Sequence, residues 1–81
     1  MKITIRLFAQ LKELIQEQEL MLESRAPVSC QEAAFQLGKK YPGVMTLLKQ
    51  SALVRNGVFA EADTLLENGD ELAILPPVSG G

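Results

Sequence analysis

The sequence contains no histidine, no tryptophan and a single cysteine, Cys30, among its 81 residues. Without histidine, the chain lacks the side chain that most often acts as a base or metal ligand near neutral pH. A lone cysteine cannot form an internal disulfide, and the shortage of cysteine fits a reducing compartment. Since Cys30 also lacks clustered partners, a transition-metal site would have none of its usual ligands. We therefore expect no metal site and no histidine-based catalysis.

Charge and hydropathy argue against two further classes of protein. Eight basic and ten acidic residues give a net charge of −2, whereas a nucleic-acid binder usually shows a basic stripe. No apolar run approaches the length of a membrane span, and residues 1–8 alternate with charges, unlike a signal peptide. We expect a cytoplasmic protein that binds neither nucleic acid nor membrane. The length predicts one domain, and an apolar fraction of 47% is enough for a single core.

The first 24 residues predict a strand, a short helix and a second strand. Residues 2–7 alternate strictly, which places Ile3, Ile5 and Leu7 on one face. Residues 19–24 alternate again. Between the two strands, the apolar residues recur at helical spacing and predict one buried face: Phe8, Leu11, Leu14 and Ile15.

The main helix is predicted to begin after Ser29. The Ser29 side chain can accept a hydrogen bond from the Glu32 N–H, and Glu32 can reach back, which is a capping box. Gly38 is a poor helix former and predicts a close approach by a neighbouring element. Pro42 and Gly43 end the helix. Its core stripe follows three- and four-residue steps: Cys30, Ala33, Ala34, Leu37 and Tyr41.

The second half of the chain predicts a hairpin and a final strand. Asn56-Gly57 is the strongest short hairpin signal, because a type I′ turn needs positive φ at both positions. Residues 71–75 form the last strand, with Leu72 and Ile74 facing inward. The order of elements predicts an α+β fold of the β-grasp type, a mixed sheet with one main helix packed across it. We expect the first and last strands to be adjacent and parallel at its centre.

Residues 1–75 are predicted to form this domain, and residues 76–81 an extended C-terminal tail. The tail consists of Pro76, Pro77, Val78, Ser79, Gly80 and Gly81. The prolines cannot continue a sheet, and the small residues have almost no side chain to bury. The two glycines accept almost any φ and ψ, so the tail can thread a narrow channel. We favour a functional terminus over a frayed one, with the Gly81 carboxylate as its distinctive group.

An apolar patch is predicted beside the root of this tail. If Leu72 and Ile74 face the helix, Leu75 faces away from it, and alternation in the hairpin exposes Phe59. Isolated surface hydrophobes are normal, but large ones beside an extended tail favour a docking surface.

Five motifs distributed over the whole chain carry a family resemblance. They are Leu7-Phe8-Ala9-Gln10-Leu11-Lys12-Glu13, Tyr41-Pro42-Gly43, Asn56-Gly57, Asn68-Gly69-Asp70-Glu71 and Leu75-Pro76-Pro77-Val78-Ser79-Gly80-Gly81. Together they resemble the small subunit of molybdopterin synthase, a sulfur carrier with the ubiquitin-like β-grasp fold.

The resemblance implies a function for the tail. An ATP-using enzyme of the ubiquitin-activating type would adenylate Gly81, and a sulfurtransferase would convert the adenylate to a thiocarboxylate. The large catalytic subunit, in a heterotetramer, would take up the tail and pass its sulfur to cyclic pyranopterin monophosphate in molybdenum cofactor biosynthesis. The chain itself would be a non-catalytic sulfur donor without a bound cofactor. Phe59, Leu75 and Arg6 would contact its partners.

Three alternatives remain open. The chain could be the sulfur carrier of thiamin synthesis, or a ubiquitin-like modifier whose Gly81 joins a lysine through an isopeptide bond. Cys30 could also act as a nucleophile or redox group, because the start of a helix lowers a thiol pKa. We favour a core position for Cys30, since no base lies near it in the sequence.

Overall fold

The computed structural model of the chain describes residues 1–77. Its elements follow in the order β1 (Lys2–Leu7), α1 (Ala9–Ile15), β2 (Glu19–Glu23), α2 (Cys30–Lys40), a 3₁₀ turn (Pro42–Val44), α3 (Met45–Lys49), β3 (Ala52–Arg55), β4 (Val58–Phe59) and β5 (Glu71–Leu75). The five strands form one sheet in the order β2-β1-β5-β3-β4. β1 and β5 are parallel at its centre, and the other pairs are antiparallel. The predicted α+β architecture is confirmed.

The core lies between the sheet and α2. Ile5 pairs with Leu72 and Leu7 with Ile74 across the two central strands, so these four side chains form one layer. Each of the four is at most 2% exposed, as the alternation predicts. Full burial of one such side chain is worth roughly 2 kcal/mol. The central parallel pair therefore supplies much of the stability of the fold.

α2 begins and packs as its sequence predicts. The Glu32 N–H donates to Ser29 Oγ at 3.1 Å, and the Ser29 N–H donates to Glu32 Oε1 at 3.4 Å, which completes the capping box. A Cβ atom at Gly38 would lie 2.5 Å from the Met45 sulfur. The absence of a side chain at Gly38 thus lets α3 pack closely against α2.

The hairpin between β3 and β4 has the predicted type I′ geometry. Asn56 and Gly57 have φ values of 49° and 84°, and Arg55 pairs directly with Val58. A two-residue loop fixes the register of the two strands. This register determines which hairpin residues face away from α2.

The predicted buried face of α1 is only partly correct. Leu11 is fully buried and Ile15 nearly so, but Phe8 is 39% and Leu14 63% exposed. α1 starts at Ala9, so Phe8 remains extended and continues the alternation of β1 away from the core. Leu11 and Ile15 are four residues apart and share one helix face, whereas Leu14 lies about 100° around the helix from Ile15.

Candidate docking face

One face of the sheet is not covered by α2, and a row of paired residues crosses it. In order from β2 to β4, the row consists of Glu19, Arg6, Ala73, Val54 and Phe59. Directly paired residues point their side chains to the same face of a sheet. Leu75 lies two residues beyond Ala73 on the same face, paired with Ala52. We call Arg6, Val54, Phe59, Ala73 and Leu75 the docking face.

The apolar part of the docking face joins Phe59 to Leu75. Phe59 is 74% exposed, whereas Leu75 and Val54 are half-buried. Their strands are separated by β3, a distance of roughly 10 Å, and Val54 lies between them. The prediction that Phe59 and Leu75 share the uncovered face is confirmed.

Val54 was missed by the sequence reasoning. A two-residue Asn56-Gly57 loop pairs Arg55 with Val58 and therefore Val54 with Phe59. This register could have been derived from the turn motif alone. Phe8 also belongs near this face, because its ring lies 5.9 Å from the Arg6 guanidinium.

Arg6 gives the docking face a positive charge. Its Nη1 lies 3.8 Å from Glu71 Oε2, and both side chains are more than two-fifths exposed. An exposed ion pair of this kind contributes between 0 and about 1 kcal/mol. Arg6 can therefore leave Glu71 and pair with an acidic group on a partner at little cost in free energy.

The chain leaves the sheet immediately beside the docking face. β5 ends at Leu75, and the two prolines that follow are half-buried Pro76 and exposed Pro77. The remaining residues of the predicted tail, Val78, Ser79, Gly80 and Gly81, lie outside the described residues. The role assigned to Gly81 and the domain boundary after residue 75 stay predictions.

A polar cluster holds the hairpin against β5. The Asp70 carboxylate, 8% exposed, accepts hydrogen bonds from Arg55 Nε at 2.7 Å, Asn56 Nδ2 at 2.9 Å and the Glu67 N–H at 2.7 Å. The bond from Asn56 and then those from Glu67 and Arg55 hold the pKa of the Asp70 carboxyl below its ordinary value, against the opposing effect of burial. Both carboxylate oxygens of Asp70 accept hydrogen bonds from its neighbours, so we assign this cluster to stability rather than to chemistry.

Cys30 lies in the core. Its side chain is fully buried, and burial raises the pKa of the Cys30 thiol against a smaller lowering effect from Arg55. A buried, protonated thiol is a poor nucleophile. The interpretation of Cys30 as a small core residue is confirmed.

Two further properties concern the described part of the chain as a whole. Residues 1–77 contain no group of three or more acidic, histidine or cysteine side chains arranged to hold a metal ion. None of the helices in the same residues has the length and apolar content that a membrane span needs.

Comparison with known proteins identifies similar chains along nearly the whole length. Residues 5–81 match the model of the ThiS family. A molybdopterin synthase sulfur carrier subunit from Arabidopsis thaliana is 30% identical over 80 residues, covering 99% of this chain and 83% of that protein. One of the same name from Dictyostelium discoideum is 34% identical over 83 residues, covering 95% and 93%.

The fold is also that of solved structures. SAMP1 from Haloferax volcanii, a small archaeal modifier protein, matches with a TM-score of 0.88 and 26% identity, and all of both chains is covered. The predicted ubiquitin-like β-grasp fold and the predicted family resemblance are both confirmed.

Proposed function

Because this chain belongs to the ThiS family, we propose that it is the sulfur carrier subunit of a molybdopterin synthase. One observation carries the proposal: two proteins of that name are 30% and 34% identical to the chain over nearly its whole length. The geometry supports it, since β5 leads from the docking face directly to the glycine-containing tail.

The proposal gives the reacting group to Gly81. An activating enzyme of the ubiquitin-activating type transfers AMP from ATP to the Gly81 carboxylate and releases pyrophosphate. A sulfurtransferase persulfide then displaces AMP and forms an acyl disulfide with Gly81. A second thiol attacks the S–S bond of this intermediate, which leaves a thiocarboxylate on Gly81 and a disulfide between the two thiols. In the synthase the thiocarboxylate sulfur passes to cyclic pyranopterin monophosphate. The activation is needed because a free carboxylate resists attack by a nucleophile, whereas AMP is a good leaving group.

This chain and the large subunit would have different roles, one as sulfur donor and the other as catalyst. Cys30 is buried and its thiol is a poor nucleophile, which is compatible with a role as sulfur donor rather than catalyst for this subunit. The large subunit then supplies the acid and base groups. Residues 76–81 span roughly 20 Å when extended, which is long enough to enter an active site while the docking face holds the body.

The docking face can be tested with a matched pair of variants. Phe59 and Val58 are neighbours in β4 with exposed fractions of 74% and 69%, but they point to opposite faces. Phe59→Asp should weaken binding to the large subunit about 100-fold in calorimetry, because a large aromatic side chain that becomes buried in an interface is a typical hot spot. Val58→Asp should bind as the wild type does. Equal affinities for both variants would reject the docking face.

The chemistry of Gly81 has a direct test by intact-mass analysis. Incubation with the activating enzyme, a sulfurtransferase and ATP should replace one oxygen by sulfur in the wild type, and deletion of Gly81 should abolish the replacement. Gly80→Val should hinder the entry of the tail. Gly43→Ala is the matched glycine control, because an added Cβ there meets nothing within 4 Å. An unmodified wild type under these conditions would overturn the assignment.

The likeness to SAMP1 favours a second candidate function, that of a protein modifier. In that function, Gly81 would form an isopeptide bond with a lysine ε-amine of a target. Conjugates that persist on denaturing, reducing gels and disappear when Gly81 is deleted would support this function. A thiocarboxylate on the free chain, without conjugates, supports the sulfur carrier.

A further inference from the structure

The outer edge of β2 carries unpaired backbone groups. Met1 and Ser24 exchange two hydrogen bonds of 2.9 Å, and the Leu7 N–H donates to the Gln18 carbonyl at 2.9 Å. In an antiparallel pair, hydrogen-bonded and non-bonded positions alternate. The even-numbered residues of β2 therefore bond to β1, whereas Glu19, Met21 and Glu23 direct their N–H and C=O groups outward. In residues 1–77 no strand lies beyond β2.

A groove runs along this edge on the helix side. It lies between β2 and α2 and has a volume of about 380 Å³. Its apolar surface includes buried Leu37 and half-buried Leu20 and Leu22, and exposed Lys39 and Lys40 line its rim. A strand added to β2 would thus place alternate side chains in an apolar groove beside two positive charges.

A second copy of this chain does not suit the edge. Antiparallel pairing of two β2 strands about Met21 would place Glu19 of each copy opposite Glu23 of the other. Like charges directly opposite each other destabilise a sheet. β4, at the other edge of the described sheet, has only two residues and offers no comparable template. The charge pattern therefore favours a strand of different sequence.

We propose that the β2 edge and its groove bind an extended segment of another protein by strand addition. The side chains of this segment that face α2 are apolar and are followed by acidic residues, which pair with Lys39 and Lys40. The side chains on its other face are basic and lie beside Glu19 and Glu23. Main-chain hydrogen bonds provide affinity in such complexes, and the alternate side chains provide selectivity.

This surface borders the docking face at Arg6, which pairs with Glu19 of β2, but it is separate from the apolar part around Phe59 and Leu75. β2 and β5 are two strands apart, roughly 10 Å, and Phe59 lies a further two strands away. A segment on β2 would leave Phe59 and the tail accessible. The inference does not depend on the proposed sulfur carrier function and would apply equally to a protein modifier.

The test uses the full chain and a synthetic peptide of the sequence Lys-Val-Lys-Val-Lys-Val-Asp-Asp, blocked at both ends. Amide hydrogen exchange followed by NMR should show new protection at Glu19, Met21 and Glu23. Leu20 and Leu22 should change little, because their amides already bond to β1. A peptide of the same composition without the alternation is the control and should give no protection.

Two sets of variants separate the backbone and charge contributions. Met21→Pro removes an outward N–H without removing a bond to β1 and should weaken binding at least about tenfold, whereas Met21→Val should not. Lys39→Glu with Lys40→Glu should weaken the binding of the Asp-ended peptide and strengthen that of a Lys-ended one. Both lysines are exposed, so the double lysine variant should fold. It therefore tests binding of the peptide in the β2 groove even if Met21→Pro does not fold.

Several results would overturn the proposal. The absence of β2 protection with every peptide, or unchanged binding by Met21→Pro, would exclude strand addition. Protection confined to α2 and α3 would place the peptide in a different groove. A dimer in sedimentation that Met21→Pro dissociates would show that a second copy occupies the edge.

Discussion

On the face of the sheet that α2 covers, Ile3, Ile5 and Leu72 are at most 2% exposed, whereas on the opposite face Phe59 is 74% exposed. Both faces carry large apolar side chains, but only the covered face gains their burial when the chain folds. Burial is worth roughly 25 cal/mol per Å² of apolar surface removed from water. The apolar surface around Phe59 therefore contributes little to stability and remains available for association. Residues of the two faces should respond differently to substitution.

The largest effect is expected on the covered face, at Leu72. Leu72→Ala removes a fully buried side chain that pairs with Ile5 in the central strands, and it should lower the free energy of unfolding by about 3 kcal/mol. Urea denaturation measures this loss. A loss below about 1 kcal/mol would mean that the central layer is not close-packed.

The Asp70 cluster links the hairpin that carries Phe59 to the covered face. Asp70→Asn should lower stability at neutral pH by about 2 kcal/mol, because Arg55 loses its charged acceptor. Since folding lowers the pKa of Asp70, the folded state favours the ionised form. The stabilisation that the ionised Asp70 carboxylate provides is fully present above the ordinary carboxyl pKa. It is lost as the pH falls below about 4 and then through the lower pKa of Asp70 in the folded state.

The pH dependence distinguishes this cluster from general acid destabilisation. Asp70→Asn should flatten the decline in stability below about pH 4, measured by urea denaturation at a series of pH values. Asp63→Asn, at an exposed position, should leave the decline unchanged. Identical pH profiles for the wild type and Asp70→Asn would contradict the assignment.

A smaller effect is expected at the start of α2, the helix that covers the core. Ser29→Ala removes the acceptor for the Glu32 N–H and should cost about 1 kcal/mol in thermal or urea denaturation. Ser29→Thr keeps a hydroxyl acceptor and should retain most of the stability. Equal losses in both variants would show that side-chain size, and not the cap, determines the change.

The smallest effect on stability is expected at Phe59. Phe59→Ala should change the free energy of unfolding by less than about 0.5 kcal/mol, because the side chain is largely exposed. The same denaturation experiment as for Leu72→Ala measures it. A loss close to that of Leu72→Ala would show that the uncovered face also holds the fold together.

Local features of this protein could be predicted from the sequence. The capping box at Ser29 and the type I′ turn at Asn56-Gly57 each involve only two to four consecutive residues. The alternation of residues 2–7 was sufficient to separate buried from exposed positions. The same reasoning was wrong for Phe8 and Leu14, because the position at which α1 starts depends on how the chain leaves β1.

The sequence by itself thus determined the turns, the caps and the face to which each strand residue points, since these depend on contacts between near neighbours. The order of elements predicted that β1 and β5 are adjacent, but only the tertiary structure decided how β2 and the hairpin attach to this central pair. It brought Arg55 to Asp70 across 15 residues, placed Val54 between Phe59 and Leu75, and left β2 at an edge. The physical reason is that strand order follows from burying all the apolar faces at once, a condition that no single segment contains.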